Sequence, residues 1–145
     1  MTVLVFVDTN VLVYARDASE PDKQPQAAGW LEQLWRQQSG RLSTQVLNEY
    51  YITVTSKLRP GMTDAAARRD VRNLMRWRPL PLTGTIVERA WSLQDRHSLS
   101  YWDALIVGAA QVAGCEILLS ECLQHGQQLD GVTVVNPFVQ APKAD

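Results

Sequence analysis

Cysteine is scarce in this chain, which has only Cys115 and Cys122. Two thiols without metal-ligand spacing exclude a disulfide framework and point to a reducing compartment. Histidine is equally scarce. His97 and His125 each lack a second His or a Cys at ligand spacing, so both read as ordinary polar residues rather than zinc ligands. An excess of one charge is missing too. The net charge of −1 gives no global basic field, so nucleic-acid binding has to rest on local patches or on metal ions. No apolar run reaches transmembrane length, and the first strand has neither a basic leader nor a small-residue cleavage site. A cytoplasmic protein is the expectation. There is no Walker-type glycine loop, internal repeat, linker or low-complexity segment.

What remains is an ordinary globular composition. The 145 residues, 46% of them hydrophobic and 20% charged, suffice for one domain with a sizeable core. We expect that domain to span 1–145, with a tail that frays from Gln140. Val3–Val7 is a β-branched apolar run that reads as a strand buried on both faces, and it stops on Asp8. Apolar character resumes at Val11–Ala15. Helices are predicted over 22–38, 45–58 with Thr44 as its cap, 63–77, 83–96 and 100–113. Leu42–Thr44, Ile117–Leu119 and Val132–Val135 read as strands, and Asp130-Gly131 as a turn. Strands alternating with helices predict an α/β fold, a three-layer α/β/α sandwich on a central parallel sheet.

Four acids stand in suggestive places. Asp8 and Glu121 each follow a buried strand, which puts them at the carboxyl edge of the sheet, where open α/β sheets bind ligands. Glu49 lies inside a helix, and Asp103 in the first turn of another. Each has a plainer reading. Asp8 or Asn10 can cap a helix, and Ser100-x-x-Asp103 matches a capping box. Glu49 can be a half-exposed helix residue, and Glu121 part of a solvated loop. Only convergence at one sheet edge separates the two sets of readings. Converging carboxylates repel and need a cation, and an all-oxygen set selects Mg²⁺ or Mn²⁺.

Three stretches carry a resemblance: Asp8-Thr9-Asn10 after a buried strand, Asn48-Glu49, and Ser98-Leu99-Ser100-Tyr101-Trp102-Asp103-Ala104-Leu105-Ile106. They resemble the PIN domain, and within it the VapC-type ribonuclease toxins of bacterial toxin–antitoxin pairs. Leu118-Leu119-Ser120-Glu121, Leu123–Gln127 and Val135–Phe138 extend the likeness over nearly the whole chain. The resemblance implies Mg²⁺- or Mn²⁺-dependent cleavage of RNA. It implies Asp8, Glu49 and Asp103 as catalytic and metal-binding acids, with Asn10 and Ser120 in support. Glu121 is a further supporting candidate. One position departs: Cys122 stands where the family usually has a fourth acid, and a thiol does not suit a hard ion.

The expected partners are RNA, a cognate antitoxin protein and a second copy in a homodimer. Trp30, Trp35, Tyr50 and Tyr51 are candidates for the antitoxin groove. Arg68, Arg72 and Arg76 form a stripe that is either an RNA guide or a solvated face. Two other readings stay open. A PIN fold that lost activity with its fourth acid would act by binding alone. An aspartyl-phosphate mechanism at Asp8 lacks a lysine after a later strand, since the next one after Ser120 is Lys143.

Overall fold

The computed structural model describes residues 2–143. Strand β1, Val5–Val7, is buried at all three residues, so both faces of the sheet are covered there. Asp8 ends it, and its carboxylate accepts from the Thr9 amide at 2.8 Å, capping helix α1, Thr9–Tyr14. Helix α2, Lys23–Gln37, closes on Gln38 in the left-handed region, at φ 54°. Strand β2 is Gly40–Arg41, earlier than the predicted 42–44. Ser43 explains the shift: its hydroxyl accepts from the Val46 amide at 3.4 Å, so Ser43, not Thr44, caps helix α3, Thr44–Ile52.

Helix α3 then runs into a π-helical turn, Thr53–Lys57, where the sequence predicts plain helix. Helices α4 (Asp64–Leu74), α5 (Gly84–Arg96) and α6 (Tyr101–Val112) start on Thr63, Thr83 and Ser100, as the capping pattern predicts. Strands β3 (Ile117–Leu119), β4 (Gln128–Leu129) and β5 (Val132–Val135) complete the chain.

The sheet order is β2-β1-β3-β5-β4. The first four strands are parallel, and β4 pairs antiparallel with β5 at the edge. The fold is the expected α/β sandwich, with this correction to an all-parallel sheet. Asp130 (φ 51°) and Gly131 (φ 92°) both take positive φ, as a two-residue hairpin requires. Strand β1 lies between β2 and β3, so successive connections leave it in opposite directions. A crevice opens at the carboxyl ends of strands at such a switch point. Pairing of Val7 with Leu119 sets the next residues, Asp8 and Ser120, level with each other.

Of the tail, Trp30 Nε1 donates to the Gln140 carbonyl at 3.0 Å, and the Gln33 amide donates to the Lys143 carbonyl. Residues 144–145, the end of the stretch expected to fray, lie outside the described residues.

Strand β2 depends on a missing side chain. A Cβ on Gly40 would lie 2.6 Å from the Trp77 ring, which is buried and packed at a tilt against Trp35, centroids 4.9 Å apart. Overpacking a closed core site costs about 1–3 kcal/mol. Gly40→Ala is therefore expected to lower unfolding stability by that amount in a urea titration. An unchanged midpoint would show that Trp77 yields freely.

Candidate active site

The Asp8 carboxylate is the anchor of the site, 6% exposed and with no lysine or arginine among the described residues paired with it. One oxygen accepts from the Thr9 amide and the other from Ser120 Oγ, each at 2.8 Å. Burial pushes its pKa from 3.8 up to about 6. Its two hydrogen bonds oppose the shift, and the negative charges of Asp103 and Glu49 add to it. The last two influences identify its neighbours: Asp8, Glu49 and Asp103 all line one open pocket of about 480 Å³. Glu49 reaches it from α3 and is held by the Thr9 hydroxyl, which donates to Glu49 Oε1 at 2.6 Å. Asp103 reaches it from the first turn of α6, where its own amide donates to Ser100 Oγ at 3.1 Å. Asp8 thus caps α1 and also lines the pocket, while at the start of α6 Ser100 is the cap and the Asp103 carboxylate lines the pocket.

Asn10 ties the strand ends together. Its amide nitrogen donates to Ser120 Oγ at 3.3 Å and to Cys122 Sγ at 3.4 Å, and its oxygen accepts from the Glu121 amide at 3.0 Å. Ser120 Oγ also accepts from the Cys122 amide at 3.2 Å. This net turns the Cys122 side chain into the pocket and the Glu121 side chain out of it. Glu121 accepts from Tyr14 Oη and from Lys23 Nζ, each at 2.6 Å. Its burial favours the neutral acid, but these two donors prevail and hold the carboxyl below its ordinary range. The Cys122 thiol is pushed the other way, by burial first and then by the charges of Asp8, Asp103 and Glu121, so it stays protonated.

Sequence reasoning missed Thr9, Thr53 and Lys57. Lys57 is the one cation among the described residues lining the pocket, and it is delivered with Thr53 by the π-helical turn. Such turns recur at functional sites, but no residue pattern announces this one. The arginine stripe lies elsewhere. Arg68 and Arg72 line a hollow with Tyr51, and Arg76 lines a separate groove. His97 faces Asp130, with 3.2 Å between Nε2 and Oδ1, and His125 Nδ1 accepts from the Asn136 amide at 3.0 Å.

Among the described residues, no three Asp, Glu, His or Cys side chains are drawn together tightly enough to grip an ion directly. The Thr9 hydroxyl holds Glu49 in place. The donor chemistry still fits one kind of guest. Carboxylate oxygens backed by a hydroxyl and an amide suit a hard cation that keeps part of its water.

The PIN domain model matches residues 5–121, and the chain belongs to that family. No curated protein matches it. It is similar in fold to a toxin–antitoxin complex from Klebsiella pneumoniae, at 20% identity over 92% of this chain and 97% of that one, with a TM-score of 0.66. VapBC2 from Rickettsia felis, bound to a DNA fragment from its promoter, aligns at 17% identity over 90% and 96%, with a TM-score of 0.64. The Mycobacterium tuberculosis toxin VapC20, which cleaves the sarcin–ricin loop, aligns at 24% identity over 79% and 86%, with a TM-score of 0.60.

The state of Asp8 has a consequence for stability. Its folded pKa lies above the unfolded value, so its contribution is fully present below 3.8 and is lost as pH rises through about 6. In metal-free buffer, unfolding stability is expected to fall over that interval by at most about 3 kcal/mol. Asp8→Asn is expected to flatten the fall. Equal slopes for the two proteins would mean that Asp8 is ionised at no cost.

Proposed function

We propose that this chain is a divalent-metal-dependent ribonuclease that cleaves RNA phosphodiesters, and the toxin half of a toxin–antitoxin pair. The observation that carries the nuclease reading is the buried Asp8 carboxylate sharing a pocket with Glu49 and Asp103 at the switch point of the sheet. Membership of the PIN family supports it. Asp8, Glu49 and Asp103 would hold Mg²⁺ or Mn²⁺, partly through water. When bound, the ion would supply Lewis-acid polarisation of a phosphoryl oxygen and a lower pKa for a bound water.

The chain's own groups do the rest. Ser120 and the Thr9 amide lock the Asp8 rotamer, and the Thr9 hydroxyl locks Glu49. Asn10 fixes the 120–122 loop against α1 and so sets the pocket's far wall. Lys57, at the border, offers a phosphate oxygen its ammonium and keeps a polyanion in register with the acids.

The antitoxin reading rests on a groove of about 360 Å³ between α1, α2, α3 and α4. Leu12, Leu31, Trp35 and Leu74 give it an apolar floor, with Arg16, Asp70 and Arg76 at its border. An amphipathic helix is the form of segment that fits such a groove. Trp30 takes no part, being core at 6% exposure, and Tyr50 contributes through its hydroxyl, which donates to Asp70 at 2.5 Å. A homodimer and a cytoplasmic location remain part of the proposal. The alternative is an interaction protein with weak or lost nuclease activity, favoured by the neutral Cys122 thiol where a fourth acid would sit.

Cleavage of single-stranded RNA by the purified protein is expected with Mg²⁺ or Mn²⁺, and none with chelator or in Asp8→Asn. Expression in a bacterial host should slow growth, again not in Asp8→Asn. Cys122→Asp is expected to raise the cleavage rate about ten-fold, which takes only about 1.4 kcal/mol of barrier. Glu121→Gln should leave cleavage within about two-fold, since that loss amounts to well under 1 kcal/mol. If Glu121→Gln abolishes cleavage and Cys122→Asp changes nothing, Glu121 is the fourth acid after all. No cleavage by the natural protein or by Cys122→Asp would favour the interaction reading.

A further inference from the structure

A second hollow adjoins the acid pocket and shares one wall with it. It is lined by Thr44, Gln45, Asn48, Glu49, Leu82 and Trp102, and Glu49 lines both spaces. Trp102 immediately precedes Asp103 on α6 and is 60% exposed, although it is one of the largest apolar side chains in the protein. It is nonetheless ordered by its neighbour: the Tyr101 and Trp102 rings meet edge to face with centroids 5.6 Å apart. Leu82, 48% exposed, supplies a second apolar surface. The remaining lining is amide chemistry. Gln45 Nε2 donates to Glu49 Oε2 at 3.3 Å and to the Trp102 carbonyl at 3.4 Å, which leaves its Oε1 free to accept. The Asn48 side chain has no hydrogen-bond partner among the described residues, so its amide has both donor and acceptor to offer.

We propose that this hollow is a nucleobase subsite. In it, a base of single-stranded RNA next to the scissile phosphate stacks on Trp102, and its edge is read by Asn48 and Gln45. The inference rests on the ribonuclease reading and adds a substrate preference to it. Three features favour a base over another occupant. An exposed indole beside an aliphatic side chain matches a base face, and unpaired bases are recognised by stacking on such rings. Accessible amide groups match a base edge, which presents donors and acceptors together. The shared Glu49 wall sets the hollow directly beside the acid pocket, so a strand held at the phosphate delivers a neighbouring base here. A duplex has no free base face to offer, so the subsite selects single strands.

The test measures binding and cleavage separately in the full-length protein. In the Asp8→Asn background, short single-stranded oligoribonucleotides should quench tryptophan fluorescence. Trp102→Ala should weaken their binding about ten-fold, a loss typical of one stacked base. Trp102→Phe should recover most of it, and Trp91→Ala, which removes an indole 55% exposed on α5, should change nothing. With Asp8 intact, Trp102→Ala should raise KM, while Asn48→Ala should alter the preference among homopolymers at unchanged thermal stability. A natural protein that cleaves RNA with the same KM and base preference after Trp102→Ala overturns the subsite and leaves the nuclease reading standing. Trp102-dependent binding without cleavage under any metal overturns the nuclease reading and retains the subsite. If Trp102→Ala instead converts a dimer to a monomer in sedimentation, a second copy covers the hollow and the proposal is wrong.

Discussion

The site depends on one constraint: a carboxylate is buried at a strand end with two neutral donors and no lysine or arginine partner among the described residues. The parallel pairing of β1 with β3 imposes it, because the register that joins Val7 to Leu119 sets Asp8 beside Ser120. Burying such a group raises its pKa, so the ionised form costs the fold stability. Every other feature of the pocket follows from that placement. Glu49 and Asp103 are oriented by the same segments that cap α1 and α6, and Asn10 joins the two strand ends into one floor.

The division of labour after β3 is equally physical. Residues 120–122 leave the strand in a turn that Asn10 and Ser120 hold from both sides. That turn sends Glu121 toward Lys23 and Tyr14, where it works as a structural ion pair, and sends Cys122 toward the acids. A neutral thiol at this point adds no charge to the pocket and relieves part of the repulsion among the other three acids.

Much of this was legible in the residues. The strand run ending on Asp8, the Ser100 cap with Asp103, and the Thr63 and Thr83 caps are local signals, and local hydrogen bonds execute them. What escaped is set by tertiary contacts. The antiparallel β4 is two residues with no periodicity, visible only through its partner β5. Strand β2 lies at Gly40–Arg41 because Ser43 caps α3, and its Gly40 leaves room for Trp77, a contact made across the sequence. The π-helical turn that presents Lys57 has the composition of ordinary helix. Trp30 and Tyr50 looked like surplus aromatics, yet the core absorbs them, while Trp102 beside the acids stays exposed.

The most direct measurement is the unfolding temperature of the natural protein and of Asp8→Asn at neutral pH, each with and without Mn²⁺ or Mg²⁺. A cation site centred on Asp8 requires the ion to raise the natural protein's midpoint and to leave Asp8→Asn, already the more stable without metal, almost unmoved. Equal shifts in the two proteins, or none in the natural one at millimolar ion, would contradict a metal site built on Asp8.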